Sequence, residues 1–408
     1  MKRRKWMLIL CTMVSLMFVS GCWDKRELTD LAVISAIGID RTETGKYVLH
    51  LQIINPGNVA GGLQGGGAGD RPPVSVYSVS GDNMTEALRK GSMKVSRRLY
   101  FAHTNLVVFS EKLAKEEGLS FILDNLDRDT EFRTTATAVI AHNCKAEDII
   151  KVLTPIDKIP SNKVNKTLSF TQEQYGRVIK TSLQDVLIDL ASPTGSPFIP
   201  GYEMHGDEKA GPTMENTQTT EPKAVLSADG LAVFKKDGRL DYWIEDDDSV
   251  GAVWLLNRIK HTFINADWKN VKHAISLQVT RQNTKVTATF PNGKPHIHVH
   301  AQVEGLVDAV RYPFHLSDPQ VLMTMQKALS VQLEKDITRS IEDIKAHKND
   351  FVGFGDLIYR KHPDKWKKFK GKWDEEYFPN LPVDVKTEVI IRRTGLRNNP
   401  LSDKLEHD

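Results

Sequence analysis

The side chains able to do chemistry in this chain stand apart from one another. Three histidines alternate in "HIHVH", at His296, His298 and His300. On a β-strand that alternation puts all three on one face, with Ile297 and Val299 on the other. An H-x-H pair on a strand can hold a metal ion, and histidine titrates near neutral pH. Three in a row span roughly 13 Å, too far for all three to share one ion without distortion. The plainer reading is the solvated face of an amphipathic strand. "EDDD" at 245–248 has the composition of a cation site, but carboxylates there also suit the positive end of a following helix. "GGLQGGGAGD" at 61–70 is glycine-rich, yet prolines and a strand follow it, where a phosphate-cradling loop must open a helix. "YRKHPDKWKKFKGKWDEEYF" at 359–378 interleaves lysines, Lys365 among them, with Trp366, Phe369 and Trp373. That pattern suits an anionic membrane, a membrane partner or nucleic acid. Its plain alternative is aromatic residues packed on the domain with lysines in solvent.

Catalytic patterns are missing. The chain has no G-x-S-x-G, S-x-x-K, H-E-x-x-H or C-x-x-C, and no Walker A lysine behind a proper glycine loop. No catalytic residue, metal or cofactor is expected.

The cysteines are Cys11, Cys22 and Cys144. Lys2, Arg3, Arg4 and Lys5 make a positive start, and an uncharged, mostly apolar run from Trp6 to Phe18 follows. Val19, Ser20 and Gly21 then lead into Cys22. This is the layout of a secretory signal peptide over residues 1–21, and the apolar run falls short of the roughly 20 residues a transmembrane helix needs. Val-Ser-Gly-Cys resembles the bacterial lipobox, whose cysteine takes up a diacylglyceryl group and becomes the first residue of the mature chain. A thiol is the side chain suited to that alkylation. With Cys11 removed and Cys22 lipidated, Cys144 has no disulfide partner, so packing must stabilise the exported chain.

Composition is that of a globular protein, 40% hydrophobic and 26% charged. The formal charge of +3 comes from 55 basic against 52 acidic residues, and four of the basic ones lie in the signal segment. The mature chain is therefore close to neutral, which argues against nucleic acid as a partner. After Cys22 no apolar run is long enough to span a bilayer.

The elements that must position these residues are strands mixed with helices. "LAVISAIGID" (31–40) and "KYVLHLQII" (46–54) read as paired strands, with further strands at 74–80, 105–110 and 134–141. Leu119, Ile122, Leu123 and Leu126 mark an amphipathic helix. Residues 205–223 hold almost nothing apolar and read as a polar linker. The chain restarts at 224 with a hairpin turning at Asp237-Gly238, then a helix from about Asp248 and strands at 273–280, 285–290 and 296–310. A long helix spans about 319–346, striped by Leu322, Met325, Leu329, Leu333, Ile337, Ile341 and Ile344. A last strand lies at 383–395. The expected fold is a multidomain α+β protein: residues 22–204, a linker at 205–223, a second domain at 224–398 and a polar tail at 399–408.

Three blocks carry a family resemblance. "GCWDKRELTDLAVISAIGID" resembles the opening of the Ger(x)C spore germination lipoproteins through Cys22, Trp23, Asp24, Glu27, Gly38, Ile39 and Asp40. Residues 99–141 are similar to the family's central segment at His103, Gly118, Arg128, Asp129, Glu131 and Arg133. Residues 349–396 are similar to its terminal signature at Gly353, Phe354, Gly355, Pro363, Trp366, Trp373, Phe378, Gly395 and Leu396. The resemblance implies a non-enzymatic C subunit of a nutrient germinant receptor. It would be lipid-tethered through Cys22 to the outer face of the spore inner membrane and assembled with A-type and B-type membrane subunits. Trp23, Asp24, Glu27, Lys365, Trp366 and Trp373 are the candidate contacts to membrane or partner. The competing readings are a solute-binding lipoprotein feeding a transporter, and an exported enzyme that no motif supports. Whether this chain touches a small ligand is left open, as is the role of the glycine-rich loop 61–69.

Overall fold

The structure, a computed model, describes residues 3–6, 27–60 and 71–395. It has the mixed α+β architecture expected, and among the described residues no helix is long and apolar enough to cross a membrane.

The strands of the first sheet are β1 (Leu31–Arg41), β2 (Tyr47–Ile54), β3 (Val74–Gly81), β4 (Arg98–Tyr100), β5 (Leu106–Ser110), β6 (Thr137–Ala141), β7 (Thr181–Ser182), β8 (Phe198–Gly206), β9 (Ala224–Phe234) and β10 (Leu240–Ile244). The main path runs β10-β9-β8-β6-β5-β1-β2-β3. β1, β5, β6 and β8 are mutually parallel along this path, and antiparallel pairs flank them. "LVVFS" and "TAVIA" are buried at every position because helices cover both faces of the parallel centre. On one face Ile37, Ile39, Val107, Phe109 and Ile140 meet the helices Met84–Gly91, Ser120–Arg128 and Leu183–Ala191. On the other, Leu106, Val108 and Val139 meet Ala146–Lys151 and Pro160–Gln174.

The second sheet is β11 (Thr262–Trp268), β12 (Val271–Thr289), β13 (His296–Val310) and β14 (Val383–Arg393), in that order. The helix Pro319–Ala346 lies across it with the expected bounds. Asp318 caps its start, accepting from the Gln320 N–H at 2.8 Å, and Pro319 opens the first turn. Met325, Leu329, Leu333, Ile337, Ile341 and Ile344 of its stripe are buried. The same helix also finishes the sheet edge. The β14 N–H groups of Val389 and Ile391 donate to Ser330 Oγ at 3.0 Å and Gln326 Oε1 at 2.8 Å, so the edge strand is covered rather than left to pair with another chain.

Two expectations about chain organisation need correction. Residues 205–223 are no inter-domain linker. They join β8 to β9, two neighbouring antiparallel strands of one sheet. Asn216, fully buried, pins the segment by donating to Leu153 O and Ala224 O and accepting from the Ala224 N–H. The segment is polar because it turns outside the sheet, and ordered because Asn216 anchors it and its own backbone is bonded, Asp207 N–H to Lys223 O and Asn216 N–H to Thr213 O among these bonds. The hairpin of β9 and β10, expected at the head of the second domain, completes the first sheet. β9 explains how both halves use it. Leu231 and Val233 enter the second half's core, while Ala232 and Phe234 enter the first half's. The two-residue period of a strand makes one strand a shared wall.

The lysine–tryptophan segment is also corrected. Trp366 and Trp373 are 3% and 1% exposed, with rings edge-to-face at 5.3 Å, and offer nothing to a membrane or partner. Their apolar area is worth more in the core than at the surface. Lys365 stays outside, with Nζ 5.7 Å from the Phe290 ring centre.

Candidate functional site

The parallel strands deliver polar side chains to their carboxyl ends. The chain leaves β1 toward β2 and β3 on one side and returns as β5, β6 and β8 on the other. Such a reversal leaves a crevice beyond the strand ends, the usual ligand position in open sheets with parallel centres. A cleft of about 580 Å³ lies there, lined from β1 by Asp40 and Arg41, from β5 by Ser110, Glu111 and Lys112, and beyond β6 by Asn143 to Lys145, Glu147 and Asp148.

Asp40, the last residue of "GID", organises the floor. Its Oδ1 accepts from the Ala146 N–H at 3.3 Å and its Oδ2 from the Glu147 N–H at 3.2 Å, capping the helix Ala146–Lys151 from another element. His50 of β2, 4% exposed, places Nε2 3.0 Å from Asp40 Oδ2 and Nδ1 2.7 Å from Ser78 Oγ. Burial pulls the Glu147 carboxyl upward, but its bonds to Lys151, with His50 beside it, hold it below the ordinary carboxylate range. Cys144, in the wall, is no nucleophile. Burial pushes its thiol up to about 12, and its Sγ lies 3.9 Å from Tyr202 O.

A second cluster sits directly after β6. His142 Nδ1 lies 3.1 Å from Asp229 Oδ2 and 3.5 Å from Glu203 Oε1, and Nε2 lies 3.6 Å from Glu245 Oε1. The ring stacks on Trp243 with centres 3.9 Å apart, and the Trp243 Nε1 donates to Glu111 Oε1 at 2.9 Å. The "EDDD" segment therefore acts differently from expectation at its first residue. The helix Asp246–Leu255 does begin there, but Glu245 makes no capping bond and faces His142 instead.

His50 bridges Asp40 and the Ser78 hydroxyl, and that hydroxyl also lies 3.3 Å from Glu147 Oε1 and is not among the residues lining the cleft. The arrangement is a bonded polar cluster at the floor of the cleft that can recognise a polar group.

Of the residues singled out in the sequence, Cys22, Trp23 and Asp24 lie outside the described residues, as does the loop 61–69. Glu27 is exposed at the start of a described stretch. His296 and His298 are brought together with Asp384, and His300 is exposed apart from them. His50, His142 and Asp350 carry structural roles that sequence reasoning missed. His142 stood directly behind a continuous apolar strand, and Asp350 three residues before a glycine pair. Both placements are signals in hindsight.

Comparison with known proteins agrees with this architecture. A family model described as "Spore germination protein N-terminal domain" matches residues 24–204, and one described as "Spore germination B3/ GerAC like, C-terminal" matches residues 229–395. Spore germination protein KC of Bacillus subtilis (strain 168) is 68% identical over 99% of this chain and 100% of its own length. Spore germination protein GerQC of Bacillus cereus is 22% identical over 96% of this chain and 99% of its own. A crystal structure of the GerBC protein shares the fold, with a TM-score of 0.53 at 20% identity over 87% of this chain and 96% of that one. The chain belongs to the GerAC-like family of spore germination proteins.

Proposed function

We propose that this protein is the lipid-anchored, non-catalytic C-type subunit of a nutrient germinant receptor, assembled with A-type and B-type membrane subunits on the outer face of the spore inner membrane. The observation that carries the reading is end-to-end likeness to a spore germination protein, 68% identical with no part of either chain left over beyond a few residues. The lipid anchor is supported by the charged start, the short apolar run and the Val-Ser-Gly-Cys sequence ending at Cys22. Acyl chains contribute about 0.8 kcal/mol per buried CH₂, so two or more make tethering stable. Confinement to the membrane raises the effective concentration of membrane partners without a new contact.

The solute-binding reading requires two lobes that part around a ligand. The shared core at β9 and the bonds from Asn349 to Phe234 O and Asp241 oppose such a hinge.

Deletion and a Cys22→Ser variant test the proposal. Deletion should abolish germination with one nutrient class and leave growth normal. The Cys22→Ser protein should leave the membrane fraction and germinate as poorly as the deletion. A membrane-free Cys22→Ser form that germinates normally sinks the anchor. A deletion strain lacking related receptors that still responds to every nutrient sinks the receptor role.

A further inference from the structure

The β13 histidines play no part in the cleft or in the core, yet the fold completes a site around two of them. β13 and β14 run parallel, with His298 opposite Asp384. His296 Nε2 lies 3.0 Å from Asp384 Oδ2, and His298 Nδ1 lies 3.1 Å from the same oxygen. The imidazoles stack with centres 4.6 Å apart, and the three donor atoms lie within 4.8 Å of one another.

Two details suit the cluster to a cation. His298 Nε2 lies 2.9 Å from Thr289 Oγ1 on β12. A proton donated there leaves the Nδ1 lone pair facing the carboxylate, which is how metal-binding histidines are held in one tautomer. His296 Nε2 is shielded from solvent and makes no hydrogen bond among the described residues, although the carboxylate is close. Two imidazole nitrogens thus aim at one oxygen, with a nitrogen left unsatisfied. Ligands about 2.0 Å from a tetrahedral zinc ion stand about 3.3 Å apart, near the spacing already present.

We propose that His296, His298 and Asp384 form a site for a divalent transition metal of the zinc type, with a fourth position open to water. Asp384 is 58% exposed, which gives the ion an entry path. His300 takes no part, because its strand partners in register are Lys285 and Lys386, whose charges repel a cation. The trio at His142 is a poorer site, because its two close carboxylates share one imidazole nitrogen. A bound ion would tie β14, the edge strand that ends the described fold, to β13 across the sheet. It would add stability by binding the folded chain alone.

The test uses the untagged full-length chain in detergent, stripped with a chelator and titrated with zinc chloride in a calorimeter. Cobalt(II) serves as a second probe whose visible spectrum reports tetrahedral nitrogen and oxygen ligation. One equivalent should bind, with a rise in Tm. His296→Ala, His298→Ala and Asp384→Asn should each weaken binding by more than tenfold, and Thr289→Val by about tenfold. His300→Ala and His142→Ala should bind as the parent does. Metal-free melting of each variant separates lost binding from lost folding, and the milder Thr289→Val stands in for any ligand variant that does not fold. Zinc binding unchanged in both His296→Ala and His298→Ala overturns the proposal. So does no uptake by the parent chain at micromolar zinc, or loss of uptake in His142→Ala.

Discussion

Asp350 and Trp373 are joined in full burial, the indole Nε1 donating to Asp350 Oδ2 at 2.8 Å. The same oxygen accepts from the Gly355 N–H at 2.6 Å, while Oδ1 accepts from Gly353 at 3.1 Å and Phe354 at 2.9 Å. One carboxylate therefore knots the "GFG" turn to a tryptophan 23 residues away. Gly353 takes a φ of +83°, and a Cβ on Gly355 would lie 2.8 Å from the Trp373 indole nitrogen, so neither glycine admits a side chain readily.

Asp350→Asn tests the knot. The amide turns an NH₂ toward donors that had a carboxylate, leaving buried N–H groups unmatched. The variant should lose about 2–4 kcal/mol in urea unfolding at an unchanged slope, with tryptophan fluorescence as the probe. A loss below about 0.5 kcal/mol would show that the knot does not hold this half together.

Asp189 supplies a pH dependence. Burial, with Asp185 and Asp356 nearby, pushes its carboxyl up to about 6 despite Arg258. The folded chain thus holds this proton more tightly than the unfolded one. Its contribution to stability is full below about pH 4 and is lost as pH rises to about 6. Asp189→Asn should remove that fall and gain about 1–2 kcal/mol above pH 6. Denaturant melts at pH 4.5 and 7.5 decide it, since parallel losses in parent and variant would clear Asp189 of the effect.

Cys144 should be silent toward thiol reagents. With its thiol pushed up to about 12 by burial, the folded chain at pH 8 should resist alkylation, and urea should expose it. Mass spectrometry of a chain carrying both Cys11→Ser and Cys22→Ser, under reducing conditions before labelling, counts the adducts at Cys144. Rapid labelling without denaturant would mean that the wall of the cleft is open.

Asp40→Ala should cost about 1–3 kcal/mol, because it removes a helix cap and the partner of a buried histidine together. Hydrogen exchange should rise over Ala146–Lys151 more than over Pro160–Gln174. Equal change in both helices would refute the local role.

The local sequence carried much of this. The stripe from Met325 to Ile344 specified a helix with its buried face, because a period near 3.6 leaves one geometry for the apolar side chains. The apolar residues of 105–110 and 134–141 marked strands there, and β5 and β6 lie within those bounds. For Trp366 and Trp373 the sequence offered two readings, contact with a membrane or partner and packing on the domain with lysines in solvent, and the burial of both indoles selects the second. Lysines flank them in sequence, but a helix turns such neighbours outward and the indoles inward.

Pairings between distant segments were not legible. Nothing near residue 205 shows that β9 will return to β8, because strand partners are chosen by the whole sheet. Nothing near His298 names Asp384, 86 residues later, since the parallel register of β13 and β14 alone sets them opposite each other. Helix and strand came from the order of apolar and polar residues along the chain. The cleft, the Asp350 knot and the histidine–aspartate trio came from contacts that close only when remote elements pack.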